Sequence, residues 1–81
     1  QIYIFQSAQP NVYVFGVTLS LEWQIAIWVG FDGKLCVGSW LLNKTNCTLA
    51  HSFNATAVEY DEVNKLIITC GGDRTCKSWR I

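Results

Sequence analysis

The sequence predicts an all-β chain built from short antiparallel strands. Three observations predict it. Apolar residues fall in short runs rich in β-branched and aromatic side chains, bounded by Gly, Asn, Asp and Ser. No segment carries a 3.6-residue apolar period. A strand–turn–strand pattern occurs twice, centred on Asp32 and on Asp73, 41 positions apart.

Taken in order, Ile2-Tyr3-Ile4-Phe5 reads as a strand, ended by Ser7 to Asn11. A second strand runs from Val12 through Leu19, and Ser20-Leu21-Glu22-Trp23 turns the chain. Gln24 to Val29 is a third. Asp32-Gly33 is a strong hairpin signal, because both residues tolerate the positive φ of a type I′ turn. Lys34 through Trp40 returns as a fourth strand. Leu42 to Asn46 is polar and reads as a loop, and Cys47 to Ala50 as a short strand. After the loop at Phe53-Asn54, Thr56 to Tyr60 alternates as a strand should. Asp61 to Asn64 is a turn. Leu66 to Cys70 is almost wholly apolar and reads as a strand buried on both faces. Gly71 to Arg74 turns the chain into a last strand, Thr75 to Ile81.

Composition narrows the function classes. Only 15% of the 81 residues are charged, against about 25% in an average globular domain. So few charges imply that much of the surface is covered, by the rest of a larger fold, by a partner or by a membrane. Opening on Gln1 suggests a processed product or an excised segment. The formal net charge is zero, and Lys34, Lys44, Lys65, Arg74, Lys77 and Arg80 are scattered, which argues against nucleic acid as a partner. Val12 to Phe31 is long and apolar enough to be weighed as a membrane span. Glu22 and Gln24 fall near its middle, where polarity is costly, and two strands joined by a turn explain it better. No basic region precedes the first apolar run, so there is no signal-peptide pattern.

The repeat decides the architecture. Val29 to Trp40 parallels Cys70 to Trp79, with two extra residues between Asp and Trp in the first copy. A period near 40 that ends strand–turn–strand–Trp is the size of a four-stranded propeller blade. Within His51 to Ile81 the chain resembles a WD repeat. His51 stands at the repeat's histidine, preceded by Ala50 where Gly is usual. Thr69 takes the Ser/Thr position, Asp73 the Asp of the following turn, and Trp79 the closing Trp. The departures are Arg74 in place of a common Gly and Arg80 in place of the Asp after Trp. The resemblance implies a buried hydrogen-bonded network of His51, Thr69, Asp73 and Trp79. Their donors and acceptors are mutually compatible. In the first copy Trp28 stands at the Ser/Thr position and Pro10 at the His position, so no such network forms there. Trp28, Trp40 and Phe31 are expected to fill that core by packing.

The expected organisation is therefore residues 1–11 as the end of a preceding blade with its connecting loop. A degenerate WD-like repeat follows over 12–50, and a repeat carrying the network over 51–81. The fold class is all-β, a partial WD-repeat propeller of about two four-stranded antiparallel blades.

His51 beside Asp73 invites a reading as a catalytic pair with Thr69 as nucleophile. The spacing fits the structural network better, and no nucleophile elbow or phosphate loop is present. Cys36, Cys47, Cys70 and Cys76 lack the close Cys pairing of structural zinc, so no metal or other cofactor is expected. Cys70 and Cys76 flank one turn and could approach each other, but all four are expected as reduced thiols buried in apolar strands. Three N-glycosylation acceptors, beginning at Asn43, Asn46 and Asn54, pull the other way, toward a secretory route. The functional expectation is a non-catalytic scaffold in the cytoplasm. Its partners are a protein or peptide, together with the remaining blades or another copy of itself. Phe31 and Arg74 sit at the turns the resemblance would assign to binding, although the plainer reading, a solvated Arg74 and a Phe31 packed on a neighbouring blade, is the favoured one. The competing expectation is a secreted or surface β-domain, stapled by disulfides and glycosylated.

Overall fold

The computed structural model describes residues 13–80. Among these the chain is all-β: seven strands in two antiparallel sheets, with no helix. The first sheet is a meander of β1 (Val14–Ser20), β2 (Ile25–Gly30), β3 (Lys34–Ser39) and β4 (Lys44–Leu49). The second is a meander of β5 (Ala55–Asp61), β6 (Leu66–Gly71) and β7 (Cys76–Arg80). The strand expected over Ile2 to Phe5, the loop after it and Pro10 lie outside the described residues.

The two sheets are copies at a constant offset of 41. Trp28 pairs with Cys36, and Thr69 with Lys77; Ile25 pairs with Ser39, and Leu66 with Arg80. Even the β-bulge repeats, falling between Val14 and Gly16 in β1 and between Ala55 and Ala57 in β5. This register corrects the sequence alignment at one point. No two-residue insertion separates the copies, and the counterpart of Trp79 is Gly38, not Trp40.

The turns repeat as well. Three of them join strands through four residues, with an acceptor side chain on the strand residue just before them and a left-handed residue last. Ser20 Oγ accepts the Trp23 amide, Ser39 Oγ the Leu42 amide, and Asp61 Oδ1 the Val63 and Asn64 amides. Gln24, Asn43 and Lys65 close them at φ 57°, 53° and 59°. Side chain–backbone bonds of this kind substitute for the ladder and set the chain's reversal. The second such turn occupies Trp40 to Asn43, so β4 begins at Lys44, inside the segment expected to be a loop.

The Asp32-Gly33 turn is not type I′. Only Gly33 has positive φ, at 77°, and its amide donates to the Gly30 carbonyl at 3.1 Å. This is the three-residue hairpin loop, a turn followed by one left-handed residue. The dipeptide signals a reversal but does not fix the loop length.

The core lies between the sheets. Ile25, Ile27, Val29 and Leu35 of the first sheet meet Ala55, Val58 and Ile67 of the second, with Ala50 from the connection. Side chains alternate across a strand, so Thr69 shares the inward face of β6 with Ile67. The outward face of β6 carries Ile68, which is 40% exposed. Leu66 to Cys70 is thus buried on one face only, contrary to expectation, because a sheet lies against just one side of it. Phe31 is 61% exposed rather than a core filler, whereas Trp28 is buried.

The cysteines are paired. Cys36 faces Cys47 across β3 and β4, and Cys70 faces Cys76 across β6 and β7, each with Cα atoms 4.1 Å apart. The expectation of four reduced thiols fails because strand register sets each pair directly opposite. The Gly71 amide bonds the Thr75 carbonyl at 3.1 Å, which leaves Cys70 and Cys76 in the adjacent non-hydrogen-bonded pair, where side chains approach most closely.

Candidate functional site

The connection between the sheets brings His51 to the inter-sheet layer. The His51 and Ala50 amides both donate to the Gly33 carbonyl at 3.0 Å, fixing this backbone to the turn of the first sheet. Lys77 Nζ donates to the Ala50 carbonyl at 2.7 Å from the second. A side chain at Gly33 would collide with the carbonyls of His51 and Phe53. Glycine is therefore required there for this close approach, and it takes the left-handed φ without strain.

The His51 ring then reaches the second sheet. Its Nε2 lies 2.8 Å from Thr69 Oγ1, and Trp79 Nε1 donates to the same oxygen at 3.0 Å. On its other side, Nδ1 lies 3.0 and 3.2 Å from the two Asp73 carboxylate oxygens. A carboxylate only accepts, so Nδ1 carries a proton, and in the neutral imidazole Nε2 then accepts the Thr69 hydroxyl. The bonds run in one direction: indole to hydroxyl, hydroxyl to imidazole, imidazole to carboxylate. His51 and Thr69 are 1% and 0% exposed, so the middle of this polar chain is buried, while Asp73 and Trp79 at its two ends are half-buried.

Asp73 is held by more than the histidine. Thr75 Oγ1 donates to its Oδ1 at 2.8 Å, the Thr75 amide to the same oxygen at 3.2 Å, and the Ser52 amide to Oδ2 at 3.2 Å. The Thr75 hydroxyl bond, aided by the Thr75 amide, His51 and the Ser52 amide, holds its carboxyl well below the ordinary carboxylate range against an opposing desolvation effect. The turn that presents Asp73 matches the one at Asp32, which accepts the Lys34 amide at 3.1 Å. In the first copy Trp28 and Gly38 replace the threonine and the tryptophan.

His51, Thr69, Asp73 and Trp79 thus converge. Phe31 and Arg74 stand apart from them, exposed on the two equivalent turns at one end of the sheets. That end gathers more than the sequence singled out. Tyr13, Phe15 and Phe53 are 74%, 45% and 70% exposed there. Phe15 packs edge-on to Phe31, with ring centroids 6.2 Å apart. Sequence reading missed these three because only the strand order brings residues 13–15, 31, 53 and 74 to the same end. Separately, an apolar cleft of about 230 Å³ lies between the outer strands, with Leu35, Val37, Ile67 and Trp79 among its walls. Among the described residues no helix is long and apolar enough to cross a membrane, and no group of three or more His, Cys, Asp or Glu could hold a metal ion.

No protein-family model and no curated protein matches the chain. A solved structure, the computationally designed Ika4 protein, is similar in fold, with a TM-score of 0.77 at 18% identity. The match covers 96% of this chain and 49% of that one, so the chain spans about half the length of the designed protein.

Proposed function

We propose that the chain is a non-catalytic interaction scaffold, made of WD-repeat-like propeller blades, that binds a protein or peptide through the turn end bearing Phe31 and Arg74. One observation carries the reading. Four exposed aromatic rings and an exposed guanidinium collect at one end of the two packed sheets. Aromatic and Arg side chains dominate binding hot spots, since they offer large contact area and directional donors. The polar cluster serves as scaffold rather than as active site in this reading: both ring nitrogens of His51 are engaged within the protein, and the Thr69 hydroxyl is buried.

A second reading, a secreted or surface β-domain acting as a binding module, draws support from the two disulfides. Such bonds persist mainly in oxidising compartments. Asn43 and Asn46 are exposed, as glycosylation requires. Both readings are of binding modules; they differ in compartment, with the cytoplasm implied by the WD resemblance.

Selection of a random peptide library on the immobilised chain tests the binding end. The expected result is a family of peptides whose binding drops at least tenfold in Phe31→Ser and in Arg74→Glu. Selected peptides that bind both variants as well as the parent chain, or a selection that yields none, would overturn the assignment.

A further inference from the structure

The turn end that bears Phe31 and Arg74 has a charge pattern of its own. We infer that it takes an extended, acidic peptide, in which a carboxylate held by Arg74 stands about three positions from a large apolar side chain held by Phe31 and Phe53. The inference rests on the peptide-binding reading above and adds the chemistry of the ligand.

The carboxylates of the two turns are committed inward. Asp73 accepts from the Thr75 hydroxyl, the Ser52 amide and His51. Asp32 accepts the Lys34 amide through Oδ1, and its Oδ2 is buried. Arg74 is exposed and, among the described residues, forms no ion pair, although Asp73 precedes it in the chain. The exposed charge on these turns is therefore a guanidinium, whose planar fork of N–H donors matches the two oxygens of a carboxylate. The backbone supplies an independent sign. Arg74 is left-handed at φ 66°, where the first copy has Gly33 at 77°. A long side chain stores strain in that conformation, and glycine at the same place does not. Strain kept at an exposed position that lacks an internal ion pair points to a contact outside the chain.

Apolar contact lies alongside. Phe53 sits between the two turns, with its carbonyl against Gly33 and its Cβ beside Gly72. Phe31 stands on the first turn, braced edge-on by Phe15, and both Phe31 and Phe53 are exposed. Packed sheets stand about 10 Å apart, which sets the distance between equivalent turns. A peptide in the polyproline II conformation returns to the same side every three residues, about 9 Å on. Side chains at that spacing reach the cation of one turn and the rings of the other together.

Positional-scanning peptide pools, titrated against the full chain by fluorescence polarisation, test this. Each pool fixes Glu, Gln or Lys at one position and Phe or Ala at a set spacing from it, with mixtures elsewhere. Pools with Glu and Phe about three positions apart are expected to bind roughly tenfold more tightly than the matching Gln pools, and less tightly as salt rises. In Arg74→Gln the Glu pools are expected to fall to the level of the Gln pools, and in Arg74→Glu the Lys pools are expected to overtake them. Phe53→Ala is expected to remove the advantage of Phe over Ala and to keep that of Glu over Gln. Far-ultraviolet circular dichroism checks that the variants keep the parent's β signature; if one does not, the preference of the parent chain for Glu over Gln and Lys still decides. Glu and Gln pools that bind the parent chain alike, a Glu preference that survives Arg74→Gln, or a different best spacing would overturn the inference and leave peptide binding standing. Failure of every pool to bind would overturn both.

Discussion

Gly33 and Arg74 hold the same turn position 41 residues apart, and both backbones are left-handed, at φ 77° and 66°. Glycine adopts that conformation freely, whereas an L side chain strains in it by about 1–2 kcal/mol. Arg74 is exposed and makes its turn bond through the amide alone, to the Gly71 carbonyl at 3.1 Å. Arg74→Gly is therefore expected to stabilise the fold. The added entropy of the unfolded chain offsets part of the gain, leaving roughly 0.5–1 kcal/mol. Gly33→Ala is expected to go the other way. Backbone strain alone costs about 1–3 kcal/mol, and the new methyl collides with the His51 and Phe53 carbonyls. Urea unfolding of the two variants measures both signs. A destabilising Arg74→Gly would mean that the guanidinium makes contacts that outweigh the strain.

Thr69 is the hub of the inter-sheet cluster, since its one oxygen serves both Trp79 and His51. Thr69→Val keeps the shape and removes the hydroxyl. The indole N–H and the imidazole Nε2 then lose their partner, at about 1–3 kcal/mol for a buried group left unsatisfied. Thr69→Ser keeps the oxygen and is expected to recover most of the loss. Equal stability of the valine and serine variants would show that the hydroxyl is not what matters at this position.

Much of that cluster was legible in the sequence, because a repeat converts spacing into position. His51, Thr69, Asp73 and Trp79 were assigned from their places in one copy, without knowing the strand ends. What stayed illegible depended on register. Trp40 resembles Trp79 in sequence, yet strand pairing sets Gly38 opposite Ala26 as Trp79 is set opposite Ile67. Cys36 and Cys47 lie 11 residues apart and become neighbours only through the turn at Trp40 to Asn43. The exposure of Ile68 could not be read locally either. An apolar run looks the same whether one sheet or two will cover it.

Asp73 makes the cluster sensitive to acid. Its carboxyl titrates below the ordinary carboxylate range in the folded chain, chiefly through the Thr75 hydroxyl. A depressed folded value means that the ionised form favours folding. The stabilisation is fully present above the unfolded carboxylate value of about 4 and is lost as pH falls below it toward the folded value. Melting temperature is expected to fall from about pH 4 downward in the parent chain. In Asp73→Asn the fall is expected to be shallower, from a lower starting point. A parallel decline in both would place the acid response in other carboxylates, with Asp61, held low chiefly by the Asn64 side chain, the first to test.

The two disulfides are expected to differ in access to a reductant. Cys36 is 2% exposed and packs with Ala26 and Trp28, while Cys76 lies on the open face of β7. Exchange needs a thiolate to reach a sulfur in line with the bond, so access governs the rate. A mild dithiol followed by alkylation is expected to label Cys70 and Cys76 well before Cys36 and Cys47, as read by peptide mass. The pair also closes the turn that presents Asp73 and Thr75 to His51, so its reduction is expected to lower the melting temperature. Equal labelling rates for the two bonds would contradict the difference in burial.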